Sequence, residues 1–145
     1  MDDEAARTTL PDWWATTSSA LDTKMGLEVT ELTAERTVGS MPVQGNTQPY
    51  GLWHGGASGV LAETLASIAS FAHAQPDGTA VGVDLNVTHH RPVRAGRVTG
   101  VATALHLGRR VTSYEVVISH ESGVRVATAR VTCQVLRPGH DDPPA

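Results

Sequence analysis

The run His54-Gly55-Gly56, followed by Glu63 and Ser67, is where this sequence gathers groups able to do chemistry. Two glycines at the head of a helix leave its first backbone N–H groups open to close approach. Those amides have no partner inside the helix and carry the positive end of its dipole. Such an end stabilises an oxyanion, as forms on a carbonyl oxygen during acyl transfer. Glu63 lies on the helix face away from Leu61 and Leu65, and with Ser67 and Ser70 it makes a polar stripe. A carboxylate with a hydroxyl one turn below it can aim a water or attack a carbonyl itself. Gly55 and Glu63 stand about 12 Å apart along a helix rising ~1.5 Å per residue. One carbonyl carbon cannot lie ~3 Å from both. Two antiparallel copies of the helix across a two-fold axis would bring Gly55 of one to Glu63 of the other, so the spacing predicts a homodimer with composite sites. The helix alone also fits a solvated glutamate and glycines that merely turn the chain.

The elements that must position these groups follow from periodicity. A short helix is predicted from Asp12 to Leu21. Residues 26–43 read as two strands, with Leu27, Val29 and Leu32 early and Thr37 to Val43 late. Pro49 and Gly51 make residues 46–54 a loop that feeds a helix from His54 to His73. The helix has an apolar stripe of Leu61, Leu65, Ile68 and Ala72, and Gln75-Pro76-Asp77-Gly78 stops it. Ala80–His90, Arg97–Leu107, Val111–Ser119 and Val124–Leu136 are β-rich, with Thr112, Tyr114, Val116 and Ile118 alternating with more polar neighbours. One long helix followed by antiparallel strands is an α+β pattern, and a curved sheet wrapped around that helix is the economical way to bury it. Residues 1–136 read as one domain and 137–145 as a disordered tail.

The whole chain sets outer limits. Its 145 residues, 40% hydrophobic and 18% charged, suit one globular domain. Aromatics are scarce at 4%, so small residues must pack backbones closely. A net charge of −4 and a pI near 5.9 disfavour a nucleic-acid partner. The single cysteine, Cys133, excludes an internal disulfide, and its place on an alternating strand makes it packing and not a nucleophile. The acidic start, Met1-Asp2-Asp3-Glu4, is unlike a secretory signal, and no stretch approaches the ~18 apolar residues of a membrane span. The expectation is a cytoplasmic protein with no membrane partner. His89 and His90 point to opposite faces of a strand and make a poor metal pair, and nothing else supplies ligand spacing, so no metal is expected. There is no Gly-x-Ser-x-Gly elbow, and the glycines lack the lysine of a phosphate-binding loop.

The motif Gln48-Pro49-Tyr50-Gly51-Leu52-Trp53-His54-Gly55-Gly56, with Leu61-Ala62-Glu63, resembles the hotdog-fold thioesterases of the 4-hydroxybenzoyl-CoA and phenylacetate-pathway branch. The likeness continues through residues 82–93, Gly96, residues 105–109 and the last strand, covering about residues 40 to 136. Gly55-Gly56-Ala57-Ser58 and the run Asn86 to Val93 look most like the members acting on 1,4-dihydroxy-2-naphthoyl-CoA in menaquinone synthesis, and their enterobactin-pathway proofreading relatives.

The resemblance implies hydrolysis of an aromatic acyl-CoA to free acid and CoA, with CoA part of the substrate and no other cofactor. Glu63 matches the catalytic carboxylate, acting as nucleophile or general base, and the Gly55 amide matches the oxyanion donor. Gln48 and His54 match the polar pair at the thioester carbonyl, and Ser67 the hydroxyl near the attacked carbon. His89, His90 and Arg91 fall where the family faces CoA. Arg91 and Arg109 could meet phosphates, although Arg109-Arg110 also reads as a solvated turn. Sites lie between subunits in this family, and dimers of dimers are common in this branch. Tyr50, Leu52 and Trp53, with Ser67, Ser70 and Phe71, are candidate walls for a flat acyl group. Phenylacetyl, hydroxybenzoyl or other acyl groups, on CoA or an aryl carrier protein, remain alternatives. So does a non-catalytic acyl-CoA-binding module, which would not need Glu63, Gln48 and His54 together. A hotdog dehydratase or hydratase uses a different carboxylate and histidine arrangement on the helix.

Overall fold

The computed structural model describes residues 10–139. Met1 to Glu4 lie outside the described residues, as does the part of the predicted tail from 140 to 145. The predicted helix from Asp12 to Leu21 is two pieces: a 3-10 turn, Asp12–Thr16, and a helix α1, Ala20–Met25. Local hydrogen bonds make the break. The hydroxyls of Thr16 and Thr17 donate to the carbonyl of Trp13, both at 3.0 Å. Ser19 is extended, and its Oγ accepts from the Asp22 N–H at 3.2 Å, starting a new helix.

The strands β1 (Glu28–Leu32), β2 (Arg36–Pro42), β3 (Thr79–His89), β4 (Arg97–Leu107), β5 (Val111–His120) and β6 (Arg125–Leu136) fall close to the predicted segments. They form one antiparallel sheet in the order β1-β2-β4-β5-β6-β3. The helix α2 (Gly55–Ala74) packs on one face of it, where Leu61, Leu65, Ala66 and Ala69 meet Val98, Tyr114, Val116 and Val131 in the core. Burying each such leucine stabilises the fold by about 1.5–3 kcal/mol.

Two glycines set how closely α2 lies. Gly39 and Gly100 pair across β2 and β4. A Cβ at Gly39 would stand 2.8 Å from Leu65 Cδ2, and one at Gly100 2.7 Å from Leu65 Cδ1. Small residues here let a leucine reach the sheet backbone, as the aromatic-poor composition suggests. The strand that follows α2 runs to the far edge of the sheet, beside β6. That edge strand, β3, leaves Val81, Val83 and Leu85 exposed at 46%, 58% and 38%. Its pairing with β6 shifts register between Gly82 and Asp84, a bulge at Val83. Among the described residues no helix is long and apolar enough to cross a membrane.

Candidate active site

The loop before α2 is tied down by its own polar groups. The Gln48 carboxamide oxygen accepts from the N–H groups of Tyr50 and Leu52, and the Gln48 N–H donates to the Leu52 carbonyl at 2.8 Å. The nitrogen of the carboxamide is then the donor this side chain has left to offer. Trp53 is buried, its indole N–H donating to Ser58 Oγ at 2.7 Å and its backbone N–H to the Val93 carbonyl at 2.7 Å. The His54 N–H donates to the Asn46 carbonyl at 2.9 Å.

His54 is the N-cap of α2. Its backbone is extended, and its Nδ1 accepts from the Gly56 N–H at 2.8 Å. A neutral ring bonded in this way carries its proton on Nε2. The Gly56 amide is thereby engaged, while the Gly55 amide has no partner among the described residues. His89 closes over this end of the helix, since a Cβ on Gly55 would stand 2.9 Å from His89 Nε2. Gln48, Leu52, Trp53, Gly55, His89 and Arg91 line an open cavity of about 370 Å³.

Glu63 opens into a different cavity, of about 690 Å³. Glu63 and Ser67 are on its polar side, and Leu21, Val60, Ile68 and Leu85 are its apolar walls. The α1 wall is tied to the helix by Thr64 Oγ1, which donates to Asp22 Oδ1 at 3.0 Å. Glu63 itself is exposed, and its carboxylate accepts no hydrogen bond and makes no ion pair among the described residues. One and two turns further on, the polar stripe dives into the core. Ser70 is fully buried and shares a 2.8 Å hydrogen bond with Thr112. Ser67, Ser70 and Thr112 surround the buried Cys133 thiol, which burial pushes above its usual pKa and the nearby Glu63 charge raises further. A neutral, enclosed thiol is not a nucleophile.

The structure thus gathers Gln48, His54, Gly55, His89 and Arg91 at the head of α2, and Glu63 with Ser67 two turns along. Arg109 sits elsewhere. The turn before it is held to the end of α2 by His73, whose Nε2 lies 2.8 Å from the Gly108 carbonyl oxygen. That end is about 27 Å from Gly55 at ~1.5 Å per residue, so one chain does not join Arg91 and Arg109 at one phosphate. The acyl walls also differ from expectation. Tyr50 is 82% exposed and lines neither cavity. Leu52 and Trp53 line the Gly55 cavity and not that of Glu63. Phe71 is covered by Trp13, the two rings meeting edge to face at 5.0 Å. Ser70 is enclosed in the core.

His90 does not separate from His89 as strand alternation predicts: β3 ends at His89, and His90, just past it, borders the Gly55 cavity as well, with its Nε2 2.9 Å from Thr128 Oγ1. A larger cavity of about 840 Å³ there, with Asn86, Glu115 and Arg130 among its walls, contains neither Gly55 nor Glu63. Among the described residues no three His, Cys, Asp or Glu side chains are grouped to hold a metal. Leu21, Asp22 and Gly82 border Glu63 or its cavity, yet nothing local in the sequence marks them.

A curved six-stranded antiparallel sheet around one long central helix is the hotdog fold of thioesterases. The family model for the thioesterase superfamily matches residues 50–127, over half of the chain, and the chain belongs to that family as a thioester hydrolase. It is 43% identical over 123 residues to the proofreading thioesterase EntH of Klebsiella pneumoniae, covering 84% of this chain and 90% of that one. The structure is similar to that of thioesterase HI1161 of Haemophilus influenzae, with a TM-score of 0.83, 31% identity, and 93% and 98% of the two chains covered. It is also similar to a mutant of thioesterase PA1618 of Pseudomonas aeruginosa, with a TM-score of 0.80, 36% identity, and 89% and 96% covered.

Proposed function

We propose that this thioesterase hydrolyses an aromatic acyl-CoA, foremost 1,4-dihydroxy-2-naphthoyl-CoA for menaquinone synthesis, in the cytoplasm and without metal or bound cofactor. The observation that carries the mechanism is the division of the reactive groups. On one chain the Gly55 amide and Gln48 open into one cavity and Glu63 into another. A second copy with its helix antiparallel supplies the missing half of each. The exposed apolar residues of the unpaired β3 edge support such a partner.

In this reading the thioester carbonyl oxygen takes the Gly55 N–H of one copy and the Gln48 carboxamide N–H beside it. Glu63 of the other copy faces the carbonyl carbon. The carboxylate either attacks, expelling CoA thiolate and leaving an anhydride that water opens, or it takes a proton from the water that attacks. Both routes end in free acid and CoA. His54 orders the helix head through Gly56, and Ser67 adds a hydroxyl beside Glu63. The leucine, isoleucine and valine walls of the Glu63 cavity suit a flat apolar group. The 43% identity to EntH favours a second reading, removal of wrong acyl groups from an aryl carrier protein.

The test is CoA release from aromatic, short aliphatic and long aliphatic acyl-CoAs, with the native protein beside Glu63→Ala. Fast release from an aromatic ester, lost in the variant, is the expected result. Acyl groups loaded on an aryl carrier protein are assayed beside the acyl-CoAs, and hydrolysis confined to those would favour the proofreading reading. A monomer that remains fully active would sink the composite site.

A further inference from the structure

One side of α2 lies along β3, and at three places along it a large group meets a glycine. A Cβ at Gly55 would meet the His89 ring at 2.9 Å, and one at Gly59 would touch Leu85 Cδ2 at 3.6 Å. At these two positions the helix gives way and the strand fills the space. At the third the roles reverse. The helix offers Glu63, and the strand offers Gly82, where a Cβ would lie 2.7 Å from Glu63 Oε1 and 3.3 Å from its Cδ.

We infer that Gly82 is a positioning residue for catalysis, its bare backbone serving as the seat that sets where the Glu63 carboxylate lies. This rests on the reading of Glu63 as the reacting carboxylate. Three observations converge on it. The Glu63 carboxylate has no hydrogen bond or ion pair among the described residues, so packing must set its place. Gly82 pairs with Cys133, whose side chain faces the core, so a side chain at Gly82 would point at the helix too. The bulge begins directly after Gly82, and its extra residue lets the strand turn outward again at Asp84, which pairs with Thr132.

The backbone does not itself require glycine here, since Gly82 is not among the residues with positive φ. A methyl group at Gly82 would therefore be tolerated by the fold. What must move is the end of the Glu63 side chain, a displacement that is cheap for stability and costly for attack on a carbonyl. A displacement of about 1 Å at a reacting group costs on the order of 100-fold in rate.

The experiment is a double-mutant cycle of Gly82→Ala and Glu63→Asp, read as CoA release from the aromatic acyl-CoA hydrolysed fastest, with kcat, KM and thermal midpoint for each protein. The shorter aspartate draws its carboxylate back from the 2.7 Å contact to about where Glu63 Cδ now lies, 3.3 Å from a Cβ at Gly82, so an added methyl group presses on it far less. Gly82→Ala should lower kcat at least about tenfold with KM within about twofold, and an unchanged melting midpoint. In the Glu63→Asp background the same alanine should cost less than about threefold, a coupling that a structural role would not give. Native kcat in Gly82→Ala, an equal loss in both backgrounds, or an alanine variant that does not fold would each overturn the inference. Full activity in Glu63→Ala would overturn the assignment of Glu63 itself, and the seat with it.

Discussion

The two reactive groups on α2 are held in opposite ways. At the helix head, most of the hydrogen bonds that hold the loop join residues within ten of one another in sequence, with the Trp53 N–H to the Val93 carbonyl as a long-range tie. Gln48 is bonded to Tyr50 and Leu52, His54 to Gly56, and Trp53 to Ser58, so the Gly55 amide is presented by a rigid loop. Two turns on, Glu63 has no hydrogen bond among the described residues, and its neighbours come from afar: Leu21 on α1, and Gly82 and Leu85 on β3. A fixed amide suits an oxyanion hole, whose donors must wait in place for charge to develop. An unbonded carboxylate suits an attacking group, because no hydrogen bond has to be broken before it acts.

The sharpest way to test this contrast is Glu63→Gln, which keeps the shape and the contact with Gly82. Release of CoA should fall by about 10²–10⁴-fold. Chemical denaturation should move by no more than about 0.5 kcal/mol, as for other exposed side chains. A stability loss well beyond that would mean the carboxylate has a structural partner.

The counterpart at the other end is Gly55→Pro, which deletes the free amide. Proline is at home in the first position of a helix, and His54 already has the extended backbone, φ −72 and ψ 128, that a following proline demands, although the proline Cβ, 2.9 Å from the present place of His89 Nε2, makes that ring swing aside. The expected loss in kcat is about 10²–10³-fold. Native turnover would remove this amide from the reaction. Ser70→Ala probes the buried foot of the Glu63 stripe. It should cost about 1 kcal/mol, the low end for a buried group losing its partner, because Thr112 keeps the Cys133 thiol nearby. Calorimetry should show this with kcat unchanged.

The smallest effect is alkaline. Burial raises the Cys133 pKa, so above pH 9.0 the unfolded chain binds fewer protons than the folded one. The stability this thiol contributes is complete below that pH and falls as pH rises further. Burial also pushes the Tyr114 phenol upward, adding in the same direction at higher pH. Denaturant midpoints at pH 8 and 10 should therefore differ less in Cys133→Ala than in the native protein.

Much of the fold was legible because its signals are local. The helix stripe of Leu61 and Leu65 and the alternation of Tyr114, Val116 and Ile118 place each element within a residue or two. The helix from Asp12 to Leu21 misled because side-chain hydrogen bonds at Thr16, Thr17 and Ser19 compete with the helical pattern. The predicted acyl walls at Phe71 and Ser70 were judged from nearness along the helix, but Trp13 covers one and Thr112 binds the other.

By itself, then, the sequence determined the helix, the strands and the separation of Gly55 from Glu63 along one axis. These depend on φ and ψ preferences and on periods of 3.6 and 2 residues, all properties of short stretches of chain. Only the tertiary structure decided what surrounds Glu63. The strand that follows α2 crosses to the far edge of the sheet, and that crossing brings Gly82 against the carboxylate and leaves an apolar edge open beside it. Such contacts join residues with no periodic relation, and whether a glycine turns the chain or seats a carboxylate depends on what the fold lays over it.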